Sequence, residues 1–139
     1  MIGVDTNILV RYLTNDDKVQ ASLASELLEK YSGQENSIFI NNIVLCELVL
    51  VLAGTYKYKK EEILKVLKTL VSSIEFCFEN QRIAFLALIE FEKNSADFSD
   101  ILISLINNDF ECTETFSFDK KASKIKFFKE LIITNHEKE

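Results

Sequence analysis

Four carboxylates stand beside apolar runs. Asp5 follows Ile2-Gly3-Val4, and Glu47 interrupts the run from Ile43 to Leu52. Asp100 precedes Ile101-Leu102-Ile103, and Asp119 ends Phe116-Ser117-Phe118. Burying an ionised carboxylate is costly unless it is paired, hydrogen-bonded or bound to a metal. The basic residues that could pair these acids lie mostly elsewhere in the chain. A like-charge pair at ~4 Å costs about 4 kcal/mol at an effective dielectric near 20, so such a group needs something positive to offset it. A divalent cation is the simplest candidate. An oxygen-only ligand set without His or Cys favours the hard ions Mg²⁺ and Mn²⁺ over Zn²⁺.

Other chemistries lack their residues. His136 is the sole histidine and lies in the polar tail from Asn135 to Glu139. Ser-His-Asp, Cys-His and paired-histidine mechanisms are therefore set aside, and hydrolysis here would use metal-activated water. Cys46, Cys77 and Cys112 form no CxxC pair and are odd in number, which fits reduced thiols. Cys46 and Cys77 sit in apolar runs and read as small core residues. With three Gly and no Pro, a glycine-rich phosphate loop has no support.

The 139 residues fit one domain spanning the whole chain. Apolar residues make up 47%, enough for a packed core. The formal charge of −6 is not the footprint of a simple nucleic-acid-binding module. It speaks less against a metal-dependent nuclease, because bound ions invert the local field. The N-terminus lacks a signal peptide's basic and apolar regions. The longest apolar run is too short to span a bilayer and contains Glu47. The expectation is a soluble, cytoplasmic protein with no membrane association.

The elements that must position the acids alternate. Ile2 to Asp5, Ser37 to Ile40, Ile74 to Phe78 and Thr113 to Phe118 read as strands, and Ile132-Ile133 as a short edge strand. Helices are expected from Thr6-Asn7, from Asp16-Asp17 up to Gly33, from Asn41-Asn42 up to Gly54, over Glu61 to Leu70, after Asn80, after Asp97 and after Asp119. Val19, Leu23, Leu27 and Leu28 form one apolar stripe. A second stripe carries Ile43, Glu47, Leu50 and Val51 and is expected to face the sheet or another helix. Such alternation implies an α/β fold: a central, mostly parallel sheet of four to five short strands flanked by helices. In such folds ligands bind outside the carboxyl ends of the strands, where Asp5 and Asp119 fall, and helix first turns such as that of Asp100 emerge beside them.

Each acid also has a purely structural reading. Asp5, Asp97 and Asp119 can cap helices, and Asp97-x-x-Asp100 resembles a capping arrangement. The helix dipole alone favours acids at these places. Glu47, mid-helix, caps nothing; a buried pair with Arg11 or a Lys is its structural alternative.

Four stretches resemble those of PIN domains, close to VapC-type toxins of toxin–antitoxin pairs. They are Val4-Asp5-Thr6-Asn7-Ile8-Leu9, Ile43-Val44-Leu45-Cys46-Glu47-Leu48, Asp97-Phe98-Ser99-Asp100-Ile101-Leu102-Ile103 and Phe116-Ser117-Phe118-Asp119-Lys120-Lys121. They occur in the family's order. Asn41-Asn42 stands where Ser-Pro is frequent, Ser99 replaces a frequent Ala, and Ser117 replaces a frequent Thr. The resemblance implies a Mg²⁺- or Mn²⁺-dependent endoribonuclease with a three-layer PIN-like fold. Asp5, Glu47, Asp100 and Asp119 would be its catalytic and metal-holding acids. Asn7 and Ser117 would arrange them, Thr6 belongs to the matching motif, and Asp97 is a less constant neighbour. The resemblance further implies an RNA substrate, a homodimer and a small antitoxin partner. Lys57, Lys59 and Lys60, interleaved with Tyr56 and Tyr58, are candidate RNA contacts. So are Lys120, Lys121, Lys124, Lys126 and Lys129, and Arg11 is placed to reach phosphate or to pair an acid.

Two other enzyme types also use acids at strand ends. An aspartyl-phosphate phosphatase needs Asp where Asn7 stands. A receiver domain needs adjacent acids near its first strand, which are missing at Asp5. A catalytically inactive PIN-like scaffold is the alternative from outside enzymology, and retention of all four acids speaks against it.

Overall fold

The apolar stub at the N-terminus forms β1 (Ile2–Gly3) and ends where Asp5 caps α1 (Thr6–Thr14). The structure is a computed structural model and describes residues 1–132. The chain divides into two compact units, Met1–Leu88 and Ile89–Glu139. His136 and Ile133 lie outside the described residues.

In the first unit, α1 is followed by α2 (Lys18–Glu29), β2 (Ile38–Ile40), α3 (Asn42–Gly54), α4 (Lys60–Ser72), β3 (Phe76–Phe78) and the start of α5 (Gln81–Lys93). The side chains of Asp17, Asn41 and Asn80 accept from backbone N–H groups three residues on and start α2, α3 and α5. Gly33, at φ 78°, makes the left-handed turn after α2, a conformation that strains a residue with a Cβ. The strands pair in parallel in the order β1-β2-β3, with Ile2 opposite Ile38 and Ile38 opposite Phe76. Each of these two parallel connections runs through a pair of helices, the usual form of crossover. Leu9, Ile38, Ile40, Leu45, Leu48, Leu52, Leu67 and Leu70 are fully buried.

The second unit holds the end of α5, α6 (Phe98–Asp109), β4 (Thr115–Ser117), one 3₁₀ turn (Ala122–Lys124) and β5 (Phe128–Glu130). Phe91 meets Phe98 edge-to-face at 5.4 Å. β4 and β5 pair in parallel, with Thr115 opposite Phe128. The buried Ser104 hydroxyl donates to the Lys126 carbonyl, and Asn107 Nδ2 donates to Thr115 Oγ1 at 3.0 Å. The first bond ties α6 to the segment just before β5, and the second ties it to β4.

The α/β class and the short parallel strands are as expected. The strands hydrogen-bond as a group of three and a group of two, and none exceeds three residues. Four local expectations change. The expected α2 stripe faces outward at Val19 and Leu23, which are 72% and 60% exposed, while Ala21, Ala24 and Leu28 are buried. Small alanines let α2 approach closely. The α3 stripe also faces outward: Ile43 and Leu50 are 69% and 55% exposed, and Val44, Leu45, Leu48, Val49 and Leu52 form the buried face. The helix expected after Asp119 is a single 3₁₀ turn, because only Ala122 and Ile125 there can be buried and the chain must return to pair β5 with β4. The edge strand begins at Phe128, ahead of Ile132, which is outside it. Cys46 and Cys77 are half-buried, and Cys112 is exposed.

Candidate active site

Thr6 ties two acids together. This buried residue donates its backbone N–H to Asp5 Oδ1 at 2.7 Å and its hydroxyl to Glu47 Oε1, also at 2.7 Å. The first bond is the N-cap of α1, so the capping reading of Asp5 is correct. The second crosses from α1 to α3 and spans 41 residues. One oxygen of each carboxylate is thereby fixed. The other, Asp5 Oδ2 or Glu47 Oε2, has no hydrogen bond among the described residues. Both acids, with Asn7, line a cavity of about 470 Å³. Neither is buried; both are exposed. Glu47 sits on the outward face of α3, so no buried pair with Arg11 is needed to tolerate it.

A second acidic group lies in the other unit. Asp100, in the first turn of α6, is half-buried. Burial raises its pKa, and the charges of Asp97 and Asp119 raise it further, while Lys121 acts in the opposite sense. Asp97 precedes α6 without accepting a capping hydrogen bond. Its carboxylate instead lies 3.6 Å from Lys121 Nζ, in an exposed pair. Asp119 does not cap a helix. Its Oδ1 accepts from the Lys121 N–H at 2.9 Å, and its own N–H donates to the Ser117 hydroxyl at 3.0 Å. Ser117 thus shapes the turn that presents Asp119.

The shifted Asp100 has a signed consequence. A raised folded pKa means that ionisation opposes folding. That contribution to stability is full below the unfolded pKa and is lost as pH rises through the folded pKa. We expect the melting temperature of wild type to fall relative to that of Asp100→Asn as pH rises through the Asp100 titration. Thermal melts of both proteins over a pH series check this; parallel pH profiles would refute it.

Arg11, also at the first unit's cavity, is held by three groups. Its Nε donates to Gln20 Oε1 at 2.6 Å, and its Nη1 donates to Asp16 Oδ1 at 3.0 Å and to the Tyr56 hydroxyl at 3.1 Å. Tyr56 in turn donates to Asp16 Oδ2 at 2.8 Å. The Tyr56 hydrogen bond is the main cause of a lowered Asp16 pKa, against the opposing effect of burial, with Thr14 and Arg11 contributing further. Arg11 therefore pairs Asp16 rather than Glu47. The sequence flagged Tyr56 only as part of a lysine-rich segment. No local signal joins it to Arg11 and Asp16, which lie 45 and 40 residues away. A second cavity, of about 350 Å³, adjoins Asn7 and Arg11 between α1 and α2 and holds no carboxylate.

The lysine patches are partly engaged. Lys121 pairs Asp97, Lys129 lies 3.9 Å from Glu114, and Lys126 rests on the Phe127 ring at 5.1 Å. Among the described residues, no three His, Cys, Asp or Glu side chains stand as a ready metal-ligand set. No helix there is long and apolar enough to cross a membrane.

Comparison with known proteins supplies the family. The profile of the PIN domain matches residues 2–127. A VapC ribonuclease from Aquifex aeolicus (strain VF5) is 25% identical to this chain over 124 residues, covering 89% of this chain and 91% of that protein. The match runs from β1 through the turn after Asp119, which takes in all four acids, and the chain belongs to the PIN domain family.

Proposed function

We propose that this chain is a Mg²⁺- or Mn²⁺-dependent endoribonuclease and the toxin of a type II toxin–antitoxin pair. Asp5, Glu47, Asp100 and Asp119 are its catalytic, metal-holding carboxylates in this reading. Thr6, Asn7, Asp97 and Ser117 support them. The observation that carries the proposal is the Asp5–Thr6–Glu47 link, which fixes one oxygen of each acid and leaves the second for a ligand. The relative named a VapC ribonuclease supports the substrate class. The single family match across both units supports treating residues 1–139 as one functional domain. A small antitoxin, a homodimer and a cytoplasmic location complete the reading.

The donor chemistry fits such an ion. All candidate ligands are carboxylate oxygens, the hard donors that Mg²⁺ and Mn²⁺ prefer. Burial raises the pKa of Asp100, and the neighbouring charges of Asp97 and Asp119 raise it further against Lys121, so a cation beside it would be favoured. A bound ion would lower the pKa of the attacking water and offset charge gathering on the phosphate. Glu47, fixed by Thr6, orients the water or helps hold the ion. The reaction forms a bond from water oxygen to phosphorus, breaks the bond to the 3′-oxygen and returns a proton to that oxygen.

Thr6 offers a direct test. Thr6→Val keeps the branched shape and removes the hydroxyl. We expect a loss of about 1 kcal/mol in stability, the usual net worth of one hydrogen bond. Cleavage in Mn²⁺ should fall by about 10- to 100-fold, as when a group that orients a metal ligand is lost. Thr6→Ser should restore most of it. Equal cleavage by wild type and Thr6→Val would show that the link is only structural.

A further inference from the structure

Tyr56, a half-buried loop residue after α3, lines the cavity that contains Asp5 and Glu47. Its hydroxyl donates to Asp16 and accepts from Arg11, and Gln20 holds the same guanidinium. Ordering two long side chains at a solvent-facing site costs conformational entropy, and exposed ion pairs return little. The network therefore calls for a reason beyond stability. Leu50 and Val51 give the cavity an apolar wall, although Leu50 is 55% exposed. At about 470 Å³ the space is in the range of small-ligand sites. Arg11 lines it too, and its Nη2 has no hydrogen bond among the described residues. The two carboxylates make the cavity repel a phosphate but not a neutral base.

Building on the ribonuclease reading, we propose that this cavity is a base-binding subsite, in which an unstacked base of single-stranded RNA lies on the Tyr56 ring against Leu50 and Val51. Single-stranded RNA is commonly held by stacking on aromatic side chains, with arginine donating to base or sugar acceptors. A ring anchored in advance loses little freedom when a base arrives, and Arg11 Nη2 supplies the donor. The subsite thus selects the nucleotide beside the cleaved bond.

The test uses labelled single-stranded RNA oligonucleotides, with binding read by fluorescence anisotropy in the absence of divalent ions. Wild type is compared with Tyr56→Leu and Tyr56→Phe. Both variants lose the hydroxyl and its network, so their difference isolates the ring; matching melting temperatures confirm that. We expect Tyr56→Leu to bind roughly tenfold more weakly, the scale of one base–aromatic stack, and Tyr56→Phe, which keeps the ring without its anchor, to fall between it and wild type. An abasic residue moved along the oligonucleotide should weaken wild type at one position and leave Tyr56→Leu unchanged there. Equal binding by all three proteins, or an abasic scan that is the same in wild type and Tyr56→Leu, overturns the subsite. If wild type still cleaves RNA in Mg²⁺ in that case, the ribonuclease reading stands alone. If base binding depends on Tyr56 but no cleavage occurs, the subsite stands and the ribonuclease reading falls.

Discussion

Asp5→Asn and Asp100→Asn should each reduce RNA cleavage in Mg²⁺ or Mn²⁺ by about 10²-fold or more, the scale of losing one preorganised charge-stabilising group. Their stabilities should not follow their activities. Asn accepts a capping hydrogen bond about as well as Asp, so Asp5→Asn should keep the bond to the Thr6 N–H and melt near wild type. Asp100→Asn removes a charge whose pKa burial has raised, with Asp97 and Asp119 raising it further. Without metal, that variant should melt above wild type at neutral pH, and its advantage should shrink as pH falls and Asp100 becomes protonated. An inactive protein that is more stable than its parent is hard to explain by misfolding. Unchanged cleavage by both variants would remove these acids from the catalytic assignment.

Leu48→Ala is expected to act in the opposite way. Leu48 is fully buried on the inward face of α3, one residue after Glu47 on the outward face. Truncating a fully buried Leu costs about 2–5 kcal/mol, from lost transfer energy plus the cavity left behind. For a chain of this length that corresponds to a fall in Tm on the order of 10 °C. Below its melting transition the variant should still cleave RNA, because the Thr6–Glu47 bond lies on the other face. Chemical denaturation and cleavage assays on one preparation check both halves. A stability loss below about 1 kcal/mol would mean that the core relaxes around the gap. Lost cleavage in folded protein would mean that Glu47 depends on exact helix packing.

The helix caps around the candidate site were legible because their signals are local. Asp5 capping α1 follows from a polar residue between a strand and a helix. Asp17, Asn41 and Asn80 start helices by the same short-range bond. The face of α3 was not legible. Apolar residues surround nearly the whole helix, so periodicity offered several faces, and packing chose Leu45, Leu48 and Leu52. The stripe with Ile43, Glu47 and Leu50 was read as inward and is outward. The same ambiguity misplaced Val19 and Leu23 on α2, where alanines supply the contact face. The helix expected after Asp119 gave way to β5, since strand pairing with β4 is a nonlocal gain that local spacing does not register.

The sequence by itself determined the α/β alternation, most helix starts and the family. Each rests on residue type, short spacing or motif order. Only the tertiary structure decided that Thr6 joins Asp5 to Glu47, that Arg11 pairs with Asp16 and Tyr56, and that Asp97 engages Lys121 instead of capping its helix. Those bonds join residues separated by as many as 45 positions. Their partners are selected by how helices and strands pack, and no short window of sequence contains that choice. The four acids that stand beside apolar runs are exposed or half-buried, and Asp5, Glu47 and Asp119 each accept a specific hydrogen bond.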